Sequence, residues 1–185
     1  MNNGVPDVPP PLLLCAFRLA DHWFGVEARW VKEVSGQVSF TPAPHAPPAV
    51  RGYVNLRGSL ILALDLRRLW ANTAPSADDS SHLLVFKPSA GESFALVAEE
   101  VAEIAAVDGR RMEDARAADP SLPVSPTEDR LAALAIGFAK LPNRLVTVLD
   151  PRRLLDIAFA DSTHSARSSS ISSPPPFQAG RPPDA

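Results

Sequence analysis

The sequence predicts an all-β protein, mainly strand with short helices, arranged as two pseudo-repeated small β-barrels. Two observations carry this: the chain repeats itself, and its apolar stretches are short, with turn residues between them. Gly52–Trp70 (GYVNLRGSLILALDLRRLW) lies over Gly137–Leu155 (GFAKLPNRLVTVLDPRRLL) without a gap at an offset of 85, with 8 of 19 positions identical. Upstream, Phe24–Val34 matches Phe94–Ile104 at an offset of 70, as F-x-x-x-A-x-x-V-x-E-[V/I]. Two echoes in the same order mark two half-domains of one architecture. The offsets differ by 15, which places a longer loop in the second half, within Asp108–Arg130. The apolar stretches are too short for bundle helices, and no βαβ unit of roughly 30 residues is visible.

Each half reads in the same outline. Leu12–Leu19 and Leu83–Lys87 are apolar runs expected as buried strands. Ala20-Asp21-His22 and Pro88–Glu92 then mark turns, and a second strand begins near Phe24 or Phe94. Ala28–Lys32 and Ala98–Ala102 suit single helical turns, with Val31 and Val101 inward and Arg29, Lys32, Glu99 and Glu100 outward. A further strand follows at Leu60–Leu64 or Leu145–Leu149, and then an aspartate. Asp65 and Asp150 are expected as helix N-caps, with Pro151 at the first helical position. The arginine pairs at 67–68 and 152–153 are expected to coat those helices.

Composition limits the class. Of 185 residues, 45% are hydrophobic and 21% charged, the net charge is −3, and there is a single cysteine, Cys15. One cysteine excludes an internal disulfide framework and a cysteine-built zinc site. The charge balance does not support a basic nucleic-acid-binding domain. The longest apolar run, Leu131–Ala139, falls well short of the ~18–20 residues that span a bilayer. The first residues lack a basic stretch followed by an apolar one, so the expectation is a cytoplasmic protein without membrane insertion. Residues 1–11 and the Ser/Pro-rich 162–185 are expected to be disordered tails. Residues 12–161 then form the domain, with sequence halves at about 12–75 and 80–161.

The duplication supplies an internal control: positions alike in both halves serve the fold, and positions that diverge are candidates for function. The clearest divergence sets Asn55-Leu56-Arg57-Gly58 against Lys140-Leu141-Pro142-Asn143. Both are expected as strand-to-strand turns, Gly58 and Asn143 tolerating positive φ. Only the first offers an amide and a guanidinium, and an Arg fork on a tight turn suits a partner's carboxylates or carbonyls. A solvated turn residue, or an Arg bridging the half-domains, remains open at this point.

Other chemistry finds little footing. His22, His45, His82 and His164 fall in expected loops or tails without metal-ligand spacing, so no metal is expected. Glu99 and Glu103 read as solvated, Ser59 lies outside a nucleophile elbow, and Cys15 sits in a buried run. No nucleophile–base pair can be named, and no cofactor motif is present. Trp30 is expected to pack against Trp23 or the neighbouring barrel.

The motif Gly52-Tyr53-Val54-Asn55-Leu56-Arg57-Gly58, followed by Leu60–Leu64, Asp65 and Leu66, resembles the G-V-x-N-L-R-G…D-L signature of the CheW-like family of chemotaxis coupling proteins. Phe17-x-Leu19…Phe24-Gly25-Val26…Val31-x-Glu33-Val34 resembles that family's first strands, and the resemblance covers roughly Leu13–Leu155. It implies two five-stranded SH3-like β-barrels packed around a shared core, with neither catalysis nor a cofactor. It further implies an adaptor joining the cytoplasmic signalling tips of chemoreceptors to the regulatory domain of the histidine kinase CheA. Receptor contact in the family uses the groove between the subdomains. Carried onto matching positions, the implicated residues are Val31, Glu33, Gly52, Asn55, Arg57 and Val101. Val31, Val101 and Gly52 recur in both halves and also suit the fold, which leaves Arg57 and Asn55 as the strongest candidates. Two departures stand out: Ala95 where the family often has glycine, and Ala98-Glu99 where it often has Val-Asp. The sequence leaves open an adaptor of pilus motility or surface signalling, and a small-ligand module on the same barrels.

Overall fold

The computed structural model describes residues 10–36, 39–70, 81–90, 92–109, 112–114 and 133–160. Of the expected tails, residues 1–9 and 162–185 lie outside the described residues, as does most of the expected loop within 108–130. The first half supplies β1 (Leu12–Leu19), β2 (His22–Glu27), a 3-10 turn at Ala28–Trp30, β3 (Val31–Gly36), β4 (Val50–Leu56), β5 (Ser59–Leu64) and α1 (Arg67–Trp70). The second supplies β6 (His82–Phe86), β7 (Phe94–Ala98), β8 (Glu100–Val107), the two-residue β9 (Glu113–Asp114), β10 (Ala135–Leu141), β11 (Arg144–Leu149), a 3-10 turn at Pro151–Arg153 and α2 (Leu154–Phe159).

These strands form two sheets of matching order, β8-β1-β2-β11-β10-β9 and β3-β6-β7-β5-β4. Each sheet takes a hairpin from one half and three major strands from the other. The first combines β1–β2 with β8, β10 and β11; the second combines β6–β7 with β3, β4 and β5. In both, the incoming hairpin meets the remaining strands through one parallel pairing, β2 with β11 and β7 with β5. Among the described residues the outer strands of each sheet do not pair with one another, so the sheets are open rather than closed barrels.

Alternation along the strands builds three cores. On β5, Ile61 and Ala63 face a cluster with Val54, Leu83, Val85, Ala95 and Val97, inside the second sheet. Leu64 faces the other way, into a larger cluster that both sheets share, with Phe17, Phe24, Phe86, Phe94 and Leu96. Leu14, Val107, Ala139 and Val148 form the corresponding interior of the first sheet. Strands buried on both faces explain why β6 and β7 read as continuous apolar runs rather than alternating ones. Cys15 belongs to the shared core, and burial pushes its thiol pKa up.

Several local expectations change. Ala98–Ala102 forms no helical turn: β7 ends at Ala98 and β8 starts at Glu100, because Glu99 is engaged by charges from elsewhere in the chain. Asn143 does not take positive φ; among the described non-glycine residues only Ala20, His45 and Arg57 do. Pro142 before it fixes φ near −65°, which is incompatible with the two positive φ values of a type I′ turn. His22 and His82 open strands rather than sitting in loops. Trp30 is half-buried against the shared core, with the Arg29 and Arg152 guanidiniums 5.2 and 5.6 Å from its ring centre.

Both aspartate caps form. The Arg67 backbone N–H donates to Asp65 Oδ1 at 3.2 Å, and that of Arg152 to Asp150 Oδ1 at 3.1 Å. The same carboxylates also receive the side chain two residues on, in a fork: Arg67 Nε and Nη2 at 2.9 and 2.8 Å, Arg152 Nε and Nη2 both at 2.9 Å. The fork from Arg152 holds the Asp150 carboxyl below its usual pKa, outweighing burial, which acts in the other direction. A depressed folded pKa contributes stability above the unfolded value of about 3.9 that is lost as pH falls through the folded one. Arg152→Gln is therefore expected to lose stability at pH 6 and to show a weaker acid-side decline. Urea unfolding at pH 3 and pH 6 checks this; an unchanged difference between the two would remove Asp150 from the acid response.

Candidate partner-binding site

The candidate residues gather on the β4–β5 hairpin and the neighbouring edge strand β3. Leu56 pairs with Ser59, leaving Arg57-Gly58 as a two-residue loop, and both have positive φ, 52° and 84°. This is the type I′ geometry, whose twist matches that of the flanking strands and which asparagine-glycine fits best. Here an arginine occupies the first position, and a non-glycine residue there carries strain. Asn55 offsets it: its Oδ1 accepts the Gly58 backbone N–H at 2.9 Å. The amide singled out as a recognition group thus also braces the turn.

The Arg57 side chain is 86% exposed, and its Nη2 lies 3.1 Å from Glu33 Oε2. Glu33 stands on β3, at the opposite edge of the sheet from β4. The ion pair therefore spans two edges that no backbone ladder joins. Tyr53 and Leu60 are also exposed, and Leu60 stands directly across from Asn55. The result is a charged pair on a braced turn beside a small apolar rim.

The other candidates occupy different settings. Val31 and Val101 are half-buried and pack against the shared core, Val31 beside a register shift on β3 and Val101 beside one on β1–β8. Both therefore touch the boundary between the sheets, but Val101 stands on the other sheet from Arg57. Gly52 lies at a bulge on β4, with φ +142°, and a Cβ there would run into the backbone of Thr41. Gly137 repeats this: its Cβ would lie 2.7 Å from the Glu113 carbonyl oxygen. In each half the glycine lets an extra edge segment close on the sheet, Thr41 against Tyr53 and β9 against β10. That shared requirement is why the glycine survives in both halves.

A second constellation escaped the sequence reading. Arg67 is 8% exposed and does not coat its helix; besides Asp65 it reaches Glu99 Oε1 through Nη1 at 2.7 Å. Glu99 is not solvated either. It accepts from Arg18 Nη1 at 2.7 Å and from the Ala20 backbone N–H at 3.2 Å, while Arg18 Nε also donates to Glu100 at 3.2 Å. The chain Asp65–Arg67–Glu99–Arg18 ties the end of β5 to β1, and so ties one sheet to the other. The repeated D-x-R spacing was its only sequence signal. Among the described residues no group of three or more His, Cys, Asp or Glu could hold a metal ion.

The profile of the CheW-like domain matches residues 14–159. The chain belongs to the CheW-like domain family. Chemotaxis protein CheW of Rhizobium meliloti (strain 1021) is 33% identical over 98 residues, 52% of this chain and 62% of that protein. The chain thus matches about three fifths of that relative's length, and likewise 60% of a probable CheW of Rhizobium etli. Chemotaxis protein CheW of Klebsiella aerogenes is 23% identical over 139 residues, 75% of this chain and 78% of that protein. The crystal structure of scaffolding protein TtCheW from Thermoanaerobacter tengcongensis superposes with a TM-score of 0.61 at 25% identity, covering 80% of this chain and 90% of that one. In this CheW-like fold the N-L-R-G motif is the β4–β5 hairpin, and the upstream Val31-x-Glu33 is the edge strand that meets it.

Proposed function

We propose that the chain is a non-catalytic adaptor coupling chemoreceptors to the histidine kinase CheA in a bacterial chemotaxis-type array. Its membership of the CheW-like family over residues 14–159 carries this reading, and the scaffolding role named for TtCheW supports it. The partners are the receptor's cytoplasmic signalling tip and the kinase's regulatory domain, and the adaptor sits in the cytoplasm at the membrane's inner face through them. No helix among the described residues is long and apolar enough to cross a membrane.

The contact is centred on Arg57, with Asn55 bracing the turn and Glu33 orienting the guanidinium; Val31 and Val101 shape the boundary between the sheets, and Gly52 acts indirectly by letting the Thr41 segment close on β4. An exposed guanidinium on a rigid two-residue turn loses little freedom when it engages a partner's carboxylate or carbonyls. Titration calorimetry against a receptor-tip fragment and a CheA regulatory-domain fragment tests the reading. Wild type is expected to bind both. Arg57→Ala is expected to weaken one of them by about 1–3 kcal/mol, as an interface anchor does. Folding should change little, because exposed ion pairs contribute only about 0–1 kcal/mol. Arg57→Asn serves as a control, since it improves the turn while deleting the guanidinium, and it should bind as weakly as Arg57→Ala. Binding of neither fragment by folded wild type would overturn the adaptor reading. A stability loss in Arg57→Ala as large as its binding loss would reassign Arg57 to structure.

A further inference from the structure

The loop ahead of β4 reads Thr41-Pro42-Ala43-Pro44-His45-Ala46-Pro47-Pro48 and is rigid for reasons visible in its bonding. Thr41 exchanges both backbone hydrogen bonds with Tyr53 at 2.8 Å, and at the other end the Asp65 N–H donates to the Ala49 carbonyl at 2.7 Å. Within it, the Ala46 N–H donates to Ala43 and the Val50 N–H to Pro47, at 3.3 and 2.9 Å. Between this loop and the start of β4 lies a cavity of about 330 Å³, walled by Phe40, Pro47, Val50, Arg51, Arg68 and His45. That volume suits a small molecule and sits at the lower end of ordinary ligand pockets.

Its charge is one-sided. Arg18, Arg29, Arg57, Arg67 and Arg152 each lie within 3.2 Å of a carboxylate. Arg51 and Arg68, both half-buried, have no carboxylate partner among the described residues. The Arg51 guanidinium lies 5.3 Å from the centre of the Phe40 ring. Arg68 reaches only the Val50 carbonyl oxygen, through Nη1 at 3.5 Å, and its buried Nε–H has no acceptor. Asp65, three residues before Arg68, is held by the fork from Arg67. Two guanidiniums facing one cavity with no carboxylate between them repel each other, and an acceptor carrying negative charge between them would offset that. Arg68 recurs as Arg153 in the 85-residue repeat, but Arg51 falls on Ile136, so the pairing of the two guanidiniums is particular to the first half.

We propose that this cavity is an oxyanion site, taking the phosphate or carboxylate of a small molecule between Arg51 and Arg68, with His45 at the rim. Amide NMR titrations of the full chain test it, using sodium phosphate, sodium acetate and sodium chloride at matched ionic strength. Phosphate or acetate is expected to give saturable shifts at Val50, Arg51 and Arg68 that chloride does not, and the stronger of the two sets the ligand class. Arg51→Gln and Arg68→Gln are each expected to weaken that binding about tenfold, the loss of one charge-assisted contact. Arg51→Gln keeps the test decisive if Arg68→Gln fails to fold. Shifts that follow ionic strength alike in all three salts would overturn the proposal, as would saturable binding that folded Arg51→Gln leaves unchanged.

Discussion

Arg67→Ala is expected to destabilise the protein by about 3–5 kcal/mol, the cost of stranding a buried charge by removing its partner. Asp65 is 1% exposed and would lose both side-chain donors, keeping only the capping N–H of residue 67. Glu99 would lose one donor but keep Arg18 and the Ala20 N–H. The burden therefore falls on Asp65. Its hydrogen bonds hold the Arg67 guanidinium in its charged form, raising its pKa further, so the pair cannot neutralise itself. The duplication provides the comparison: Arg152 makes the same fork onto Asp150, but its side chain is 62% exposed, so water replaces it when it is removed. Arg152→Ala should accordingly cost far less at neutral pH. Denaturant unfolding of both variants decides the matter, and equal losses would show that burial does not set the value of this pair. Asp65→Asn combined with Arg67→Met should recover part of the loss, because the stranded charge disappears with its partner.

Gly52→Ala is expected to cost about 3–5 kcal/mol, summing a backbone conformation that L residues rarely adopt with a clash in a closed space. The added Cβ would meet the carbonyl group of Thr41, with its carbon 3.0 Å away, and Pro42 Cα at 3.2 Å. Thr41 cannot easily retreat, since two hydrogen bonds to Tyr53 hold it. Gly58 is the unobstructed comparison: its φ is +84°, nearer the left-handed region, and nothing lies within 4 Å of its Cβ position. Gly58→Ala should thus cost about 1–2 kcal/mol, the left-handed backbone penalty alone. Urea midpoints for the two variants give the difference directly. A Gly52→Ala protein as stable as Gly58→Ala would mean that the Thr41 segment moves aside freely.

Much of the candidate site was legible because its information is local. Asn55, Arg57 and Gly58 specify a tight turn within four residues, and the offset of 85 shows that the matching turn of the second half, Pro142-Asn143, lacks the amide and the guanidinium. The pairing of Arg57 with Glu33 was not legible, because 24 residues and a strand crossing separate them. Glu99 misled for the same reason. After an apolar strand an acidic pair reads as solvent-facing, and its partners Arg18 and Arg67 come from 81 and 32 residues away.

The sequence by itself determined the strands that open each half, those that end at the aspartates, the two aspartate caps and the turn that carries Arg57, since each depends on residues within a few positions of one another; the duplication was legible because those local patterns recur. Only the tertiary structure decided that the halves exchange hairpins, with β1 pairing to β8 and β6 to β3. In a duplicated chain β3 and β8 carry nearly the same pattern of apolar residues, so local preference cannot choose between them. The choice falls to the shared core, which buries both faces of the exchanged hairpins between the two sheets.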